Sequence, residues 1–299
     1  MTTKEMRGVI AFSITPLAAD QSIDEKRLLS HMDDLIEGGV DGITLFGSTG
    51  AIGSFTEAER RRVVEIALPH VAGRVPVMVG TGAISTAEAV RLSRHAQELG
   101  AAAALVVPIS YWLLNEAELL GHYSAINDAI SMPLAVYNSP RLTGIDMQPA
   151  FIARLAELSN VKYLKESSPD LLRVAQVKRA TGGKLKVFAG RDDTVLEAMQ
   201  VGADAWASAV ANFMPGTCHR LFAMLKDPAR QAQARELEAA IHPLTDYALT
   251  KGLVRTCHDA LTVLGKPAGA PRRPILPLGD ADYAQWRDQL LASREALKF

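Results

Sequence analysis

One pattern repeats from residue 8 to about residue 226. A short apolar or β-branched run is followed by a glycine-rich or polar turn and then by an amphipathic helix. The predicted strands are Val9–Ile14, Gly42–Phe46, Val75–Val79, Ala103–Val107, Leu134–Tyr137, Val161–Lys165, Lys186–Ala189 and Asp204–Ser208. Strands and helices that alternate in this way predict an α/β fold, a closed parallel (β/α)8 TIM barrel.

An open, doubly wound sheet is the alternative to the barrel. Its dinucleotide-binding fingerprint is missing, because Gly80-Thr81-Gly82 is not followed by the third glycine. The helix starts are well marked: Thr56 with Glu59, and Ser85 with Glu88, both fit the S/T-x-x-E capping box. Several predicted helices end in glycine, as at Gly38-Gly39 and Gly100.

The strand–helix pattern stops after Lys226. We therefore predict two domains, a barrel over residues 1–226 and a helical C-terminal extension over residues 227–299. The extension is predicted to contain two helices within residues 228–264, a proline-rich crossing segment over residues 266–277 and a last helix from Asp280 to Leu297.

The composition limits the classes of molecule that this chain is expected to bind. The 299 residues are 48% hydrophobic and 22% charged with a net charge of −1, which argues against nucleic acid as a partner and favours a small molecule. No apolar stretch reaches the length of a membrane span, and the first apolar run is too short for a signal peptide. These features predict no membrane partner and a cytoplasmic location. Cys218 and Cys257 are expected to be buried apolar residues.

No metal site is expected. His31, His95 and His122 fall at positions of amphipathic helices that we assign to solvent, and no H-x-H or H-E-x-x-H spacing occurs. Asp33-Asp34 and the run Arg60-Arg61-Arg62 are interpreted as solvent-exposed helix faces.

Lys165 is the residue that says most about chemistry. Alternation places Val161, Tyr163 and Lys165 on one face of the sixth predicted strand. If that face points into the barrel, an amine lies at the carboxyl end of a buried strand, where covalent chemistry at a carbonyl is its natural use. The alternative is a lysine whose stem packs while its amine reaches solvent or a carboxylate.

Three further loops place polar groups at the carboxyl ends of strands, where this fold carries its active sites. Gly47-Ser48-Thr49-Gly50 offers hydroxyl and N–H donors to a carboxylate, although a plain capped turn would look the same. Tyr137, in the strand next to Lys165, is a candidate proton carrier or a core tyrosine. After the seventh strand, Asp192 and Asp193 are interpreted as helix N-caps.

Together these positions resemble the dihydrodipicolinate synthase/N-acetylneuraminate lyase family over essentially the whole chain. The matching motifs are G-S-T-G at Gly47–Gly50, Y-N-x-P at Tyr137–Pro140 with Thr143-Gly144, K-E at Lys165-Glu166, and Gly190-x-Asp192-Asp193. The resemblance implies that Lys165 forms a Schiff base with a 2-oxo acid, that Tyr137 is the general acid/base, and that Ser48 and Thr49 bind the carboxylate and relay protons. Gly190 and Ala207 join the expected substrate-binding residues.

The chain departs from the family pattern at three places. Ala51 stands where the family turn usually has glutamate, and Leu142 stands where true synthases have the arginine that binds the second substrate's carboxylate. Arg141, one residue earlier, is the candidate to bind an acidic substrate. The synthase tyrosine that crosses to a partner subunit matches Tyr111 when counted back from the following helix, and Ser110 when counted forward from the strand. The apolar residues beside it predict a pocket wall or a subunit contact.

The sequence therefore predicts a class I aldolase or dehydratase with Lys165, Tyr137, Ser48 and Tyr111 as catalytic residues and no cofactor, since the iminium is itself the electron sink. Its partners are expected to be a 2-oxo acid such as pyruvate, a possible aldehyde, and further copies of the chain in a homotetramer or homodimer. Condensation of pyruvate with aspartate semialdehyde is the main enzymatic alternative. A non-catalytic barrel that binds a 2-oxo acid is the alternative from another class.

Overall fold

The computed structural model describes residues 5–299 and contains one closed barrel of parallel strands. The strands follow one another around the barrel in chain order, and β1 pairs with β8 to close it. Their bounds are β1 Gly8–Phe12, β2 Gly42–Leu45, β3 Val77–Gly80, β4 Ala103–Val106, β5 Leu134–Asn138, β6 Val161–Glu166, β7 Lys186–Ala189 and β8 Ala205–Ser208. The predicted TIM barrel is confirmed, with each strand within about two residues of its predicted ends.

Helices connect the strands on the outside of the barrel. Up to the end of the barrel they are α1 Glu25–Glu37, α2 Glu57–Val71, α3 Thr86–Glu98, α4 Glu116–Ala129, α5 Pro140–Thr143, α6 Pro149–Leu155, α7 Arg173–Ala180, α8 Val195–Gln200 and α9 Pro215–Leu225. Thr56 and Glu59 form the predicted reciprocal capping box, and the Ser85 hydroxyl accepts from the N–H of Glu88. Gly39 and Gly100 adopt the left-handed conformation in which such helices end.

Three further helices follow the barrel: α10 Gln231–Lys251, α11 Leu253–Val263 and α12 Asp280–Leu297. Trp286 of α12 is fully buried, with its ring stacked on Tyr247 at 5.2 Å and edge-on to Phe213 at 5.7 Å. Its indole N–H donates to the carbonyl of Thr256. Aromatic contacts of this size hold the last helices against the barrel. The division into two domains at residue 226 stays a prediction.

The three histidines assigned to solvent are in fact buried, which corrects the sequence prediction. His31 Nε2 lies 2.9 Å from the Asn212 amide oxygen, and His122 Nδ1 lies 2.9 Å from the Thr86 hydroxyl, while His95 is also mostly covered. Burial lowers the pKa of His31 to about 4, because a charged imidazole is costly away from water. His31 thus contacts a residue that follows β8, whereas His122 and His95 contact the neighbouring helices α3 and α2 through Thr86 and Glu65.

Arg60 also contradicts the interpretation of the arginine run as a solvent-exposed face. Its side chain is buried, and its Nη2 donates to the carbonyls of Gly80 and Gly82 at the end of β3. The carbonyls of this glycine-rich segment need donors once the strand has ended, and the guanidinium supplies them. Arg61 and Arg62 do remain at least partly exposed, as predicted.

Both cysteines are buried, as expected, and the structure shows them as free thiols. Across residues 5–299, no helix combines the length and the apolar composition that crossing a bilayer requires.

Candidate active site

Lys165 lies at the carboxyl end of β6 with its amine inside the barrel. Only 4% of its surface is exposed. The Nζ donates to the Tyr137 hydroxyl at 3.2 Å and lies 3.7 Å from the centre of the Phe12 ring. Lys165 and Tyr137 are register partners in the β5–β6 pair, so the strand pairing itself brings the two groups together. Among the described residues, no carboxylate lies within ion-pair distance of Lys165, whose hydrogen-bond partner is Tyr137.

Tyr137 connects the lysine to the turn after β2. Its hydroxyl lies 3.4 Å from the Ser48 Oγ, and its side chain is buried. Burial acts to raise the pKa of the Tyr137 phenol, but the charge of Lys165 and the hydrogen bonds from its neighbours outweigh burial, so that the pKa lies below its usual value. Amine, phenol and serine hydroxyl thus form one continuous chain along which a proton can pass.

The turn that carries Ser48 is shaped by small residues. A Cβ on Gly47 would lie 2.4 Å from a ring carbon of Phe12, the same ring that covers the Lys165 amine. Glycine is therefore required here for the ring to reach its place under the lysine. Ala51, at the position where the family usually has glutamate, ends this turn in the left-handed conformation with φ of 53°.

A buried polar network fixes the ends of β5 and β6. Asn138, next to Tyr137, donates to the Glu166 carboxylate at 3.0 Å, and Glu166 is next to Lys165. Asn138 also donates to Asp146, which Arg173 binds through two hydrogen bonds. Burial raises the pKa of Glu166. Because each member has a partner, the network holds the two catalytic candidates in register.

Asp192 is buried at the end of β7 and does not cap a helix, contrary to the sequence prediction. Its carboxylate accepts from the indole N–H of Trp206 and from the N–H of Ala209, both at 3.0 Å. Burial raises its pKa despite these bonds. Asp193 does not cap a helix either, and its carboxylate forms an ion pair with Arg191. The sequence could not show this, since the donors come from β8.

A cavity of about 240 Å³ opens above the lysine. The barrel strands and their loops supply one part of its lining: Ser48, Thr49, Tyr137, Ser139, Arg141, Leu142, Lys165, Ser167, Gly190, Arg191, Asp192, Ala207 and Ala209. The chain after the barrel supplies the rest: Leu249, Gly252, Leu253, Val254, Arg255 and Ile275. No group of three or more metal-ligating side chains occurs among residues 5–299.

Comparison with known proteins decides the family. The model of the dihydrodipicolinate synthetase family matches residues 5–293. The chain belongs to this family. It is 35% identical to the 4-hydroxy-tetrahydrodipicolinate synthase of Methanothrix thermoacetophila, over 95% of this chain and 96% of that one. This protein is thus a lyase of the dihydrodipicolinate synthetase family.

Solved structures of the family superpose closely on the barrel. A Pseudomonas aeruginosa protein described as a candidate dihydrodipicolinate synthetase is 37% identical with a TM-score of 0.94, covering 97% of this chain and all of that one. The prophage protein YagE of Escherichia coli K12, a member of the family solved in complex with pyruvate, is 29% identical with a TM-score of 0.91, covering 97% of this chain and 99% of that one.

Most residues expected from the family motifs meet in one cavity. Those that line it are Lys165, Tyr137, Ser48, Thr49, Arg141, Gly190 and Ala207. Tyr111 does not: its side chain is 86% exposed and contacts the Trp112 ring, outside the cavity of its own chain. Leu142 borders the cavity at the position where synthases of the family have arginine.

The sequence reasoning missed the contribution of α10, α11 and the proline-rich segment to this cavity. The sequence predicts the C-terminal extension only as helices that follow the barrel, yet Leu249, Leu253 and Ile275 line the site. The available signal was Gly252, which interrupts a helical pattern and adopts φ of 107°. That interruption turns the first residues of α11 towards the opening of the barrel.

Proposed function

We propose that this family member acts on a 2-oxo acid through a Schiff base on Lys165. The supporting observation is the buried Lys165 amine, within 3.2 Å of the Tyr137 hydroxyl at the base of the cavity. The unprotonated amine attacks C2 of the oxo acid to give a carbinolamine, which loses water to form a protonated imine. The imine then withdraws electrons from C3, so that either the C3–C4 bond cleaves as in a retro-aldol reaction or a β-hydroxyl leaves as water.

Tyr137 is assigned the proton transfers in these steps. It donates a proton to the oxygen that leaves as water, and it regains a proton through Ser48, whose hydroxyl is 3.4 Å away. Ser48 and Thr49 offer hydroxyl donors to the substrate carboxylate, with Gly190 and Ala207 completing the inner wall. The iminium is the electron sink, so the reaction needs no organic cofactor.

Pyruvate is the proposed 2-oxo acid. Two family members of the same fold, YagE of Escherichia coli and the synthase of Acinetobacter baumannii, were solved in complex with pyruvate, and the latter is 31% identical with a TM-score of 0.91. This supports a small 2-oxo acid in the corresponding cavity.

Aldol cleavage or dehydration is our first choice of reaction, because Leu142 replaces the arginine that binds aspartate semialdehyde in true synthases. The synthase reaction is the second candidate, favoured by the relatives that carry that name. A coupled assay with pyruvate and aspartate semialdehyde separates the two, and robust turnover in it would overturn our first choice.

Borohydride trapping tests the Schiff base directly. The protein is incubated with pyruvate, reduced and digested, and the mass increase is located by peptide mapping. We expect the adduct on Lys165 and none in Lys165→Ala, which should keep its fold. Labelling of another lysine, or no labelling with pyruvate or any longer 2-oxo acid, would refute the mechanism.

We propose that Tyr111, Trp112 and Leu113 form a contact with a second copy of the chain in a homodimer or homotetramer. These neighbouring apolar side chains are 86%, 72% and 84% exposed, which is costly for a surface in water. Sedimentation of the double variant Trp112→Ser, Leu113→Ser should show a smaller assembly than the wild type. An unchanged assembly would place the contact elsewhere. The cytoplasmic location stays a prediction.

A further inference from the structure

The outer wall of the cavity is largely aliphatic. Leu249 at the end of α10, Leu253 and Val254 at the start of α11, and Ile275 in the proline-rich segment all border it, and Leu142 adds to it from the barrel side. A wall of this composition favours an apolar stretch of ligand and offers few hydrogen-bonding groups to a sugar chain.

Arg255 stands out among the arginines of this wall because, within residues 5–299, no hydrogen bond or ion pair holds it. Arg141 donates to the carbonyl of Leu249, and Arg191 is held by the carboxylate of Asp193. Within residues 5–299 the Arg255 guanidinium makes no hydrogen bond to the protein and has no acidic group within ion-pair distance, although its side chain is half-buried. A partly desolvated guanidinium with free donors is suited to bind an anion.

The junction between α10 and α11 puts Arg255 in this position. Its side chain lies across Gly252, where a Cβ would meet the Nε at 3.4 Å. Asp259, one turn further along α11, is the acidic group that senses the Arg255 charge, and its carboxylate accepts from the N–H of Leu278. Arg255 is therefore directed along the cavity wall and is not neutralised by its own helix.

We propose that Arg255 binds a carboxylate at the far end of the substrate, beyond an aliphatic segment that packs on the leucines. The inference rests on the proposed Schiff-base function and extends it to one substrate class, the 2-oxo dicarboxylic acids. Leu142 carries no charge at the position where the synthases have arginine, and Arg255 of α11 supplies the cation that binds the distal carboxylate. The planar guanidinium can bind such a carboxylate through two parallel hydrogen bonds.

The test compares matched pairs of 2-oxo acids in borohydride trapping. 2-Oxoglutarate, 2-oxoadipate and 2-oxopimelate are compared with the monocarboxylic 2-oxo acids of equal length, and the half-saturating concentration is measured for each. Arg255→Gln and Arg255→Lys are the test variants. Arg235→Gln, on the exposed side of α10, is the control that makes the same change in charge outside the cavity. Trapping of pyruvate in each variant shows whether Lys165 still reacts.

For at least one of the three chain lengths, the wild type and Arg235→Gln should bind the dicarboxylic acid more tightly than the monocarboxylic acid. Arg255→Gln should bind that dicarboxylic acid about 10- to 100-fold more weakly, which is the usual effect of removing a charge-assisted hydrogen bond. Arg255→Lys should retain part of the preference. Affinity for the monocarboxylic acids and for pyruvate should not change. An unchanged preference in Arg255→Gln, or an equal loss for both members of a pair, would overturn the proposal.

Failure of the Schiff-base function is a separate result, seen as no trapping of any oxo acid by the wild type. Titration calorimetry with glutarate and adipate then tests Arg255 alone. Binding that is lost in Arg255→Gln supports the carboxylate site, whereas equal binding by both proteins, or none, refutes it.

Discussion

Replacement of Tyr137 by phenylalanine removes one oxygen atom from the candidate site and leaves the ring in place. That oxygen lies 3.2 Å from the Lys165 Nζ and 3.4 Å from the Ser48 Oγ. Loss of a general acid/base slows its step by about 10²–10⁴-fold, which raises the barrier by about 2.7–5.5 kcal/mol. The two lost hydrogen bonds reduce the free energy of unfolding by about 1 kcal/mol each. We therefore expect a slow enzyme that is still folded.

The rate of imine formation is the sharpest readout for this variant. Reduction with borohydride after increasing times of incubation with pyruvate should show a much slower approach to the same final labelling of Lys165. Tyr123→Phe is the matched control, since this buried phenol donates to the Val106 carbonyl away from the cavity. With one hydrogen bond lost, it should lose about 1 kcal/mol of stability and no activity. If Tyr137→Phe reacts as fast as the control, the phenol does not carry the proton.

Three further changes test the surroundings of the site. Burial lowers the pKa of His31 from 6.5 to about 4. As the pH falls through this range, the unfolded chain takes up the proton before the folded protein does, so the free energy of unfolding falls by up to about 3 kcal/mol. Denaturant unfolding at pH 7 and pH 4.5 should show a smaller loss of stability in His31→Gln than in the wild type. Gly190→Ala brings a Cβ to 2.5 Å from the Glu166 carbonyl, so we expect a loss of about 1–3 kcal/mol and of trapping, while Gly53→Ala, with open space around it, should melt like the wild type. Asn138→Ala leaves the Glu166 carboxylate with fewer donors and should cost about 1–3 kcal/mol in unfolding free energy, with turnover reduced as Lys165 loses its fixed position.

The barrel could be predicted because its strands are short apolar runs separated by strong turn signals. The strand order then follows from the preference of such repeats to close in sequence order. Side-chain direction on the helices was predicted less well. His31 and Arg60 are polar residues whose partners, Asn212 and the carbonyl of Gly80, lie on other elements, and a helical pattern alone does not show where such partners are.

The meeting of the candidate site residues was predictable for a related reason. Lys165 and Tyr137 end neighbouring strands, and parallel pairing places such residues side by side. The outer wall was not predictable, because Leu253 and Arg255 approach the barrel only after the turn at Gly252. Such contacts depend on the path that the C-terminal helices take over the barrel, and hydrophobic periodicity in the sequence does not reveal that path. Asp192 was misassigned for the same reason, since its donors come from the next strand.

Because the first residues of α11 line the cavity, its walls come from two separate stretches of the gene. The residues proposed to react, Lys165 and Tyr137, are encoded within the repeats, whereas part of the cavity wall is encoded after residue 226. Substitutions in this late stretch can alter which molecules are accepted while the strand ends stay intact. A recombination point between α9 and α10 would accordingly transfer selectivity between relatives without disturbing their shared chemistry.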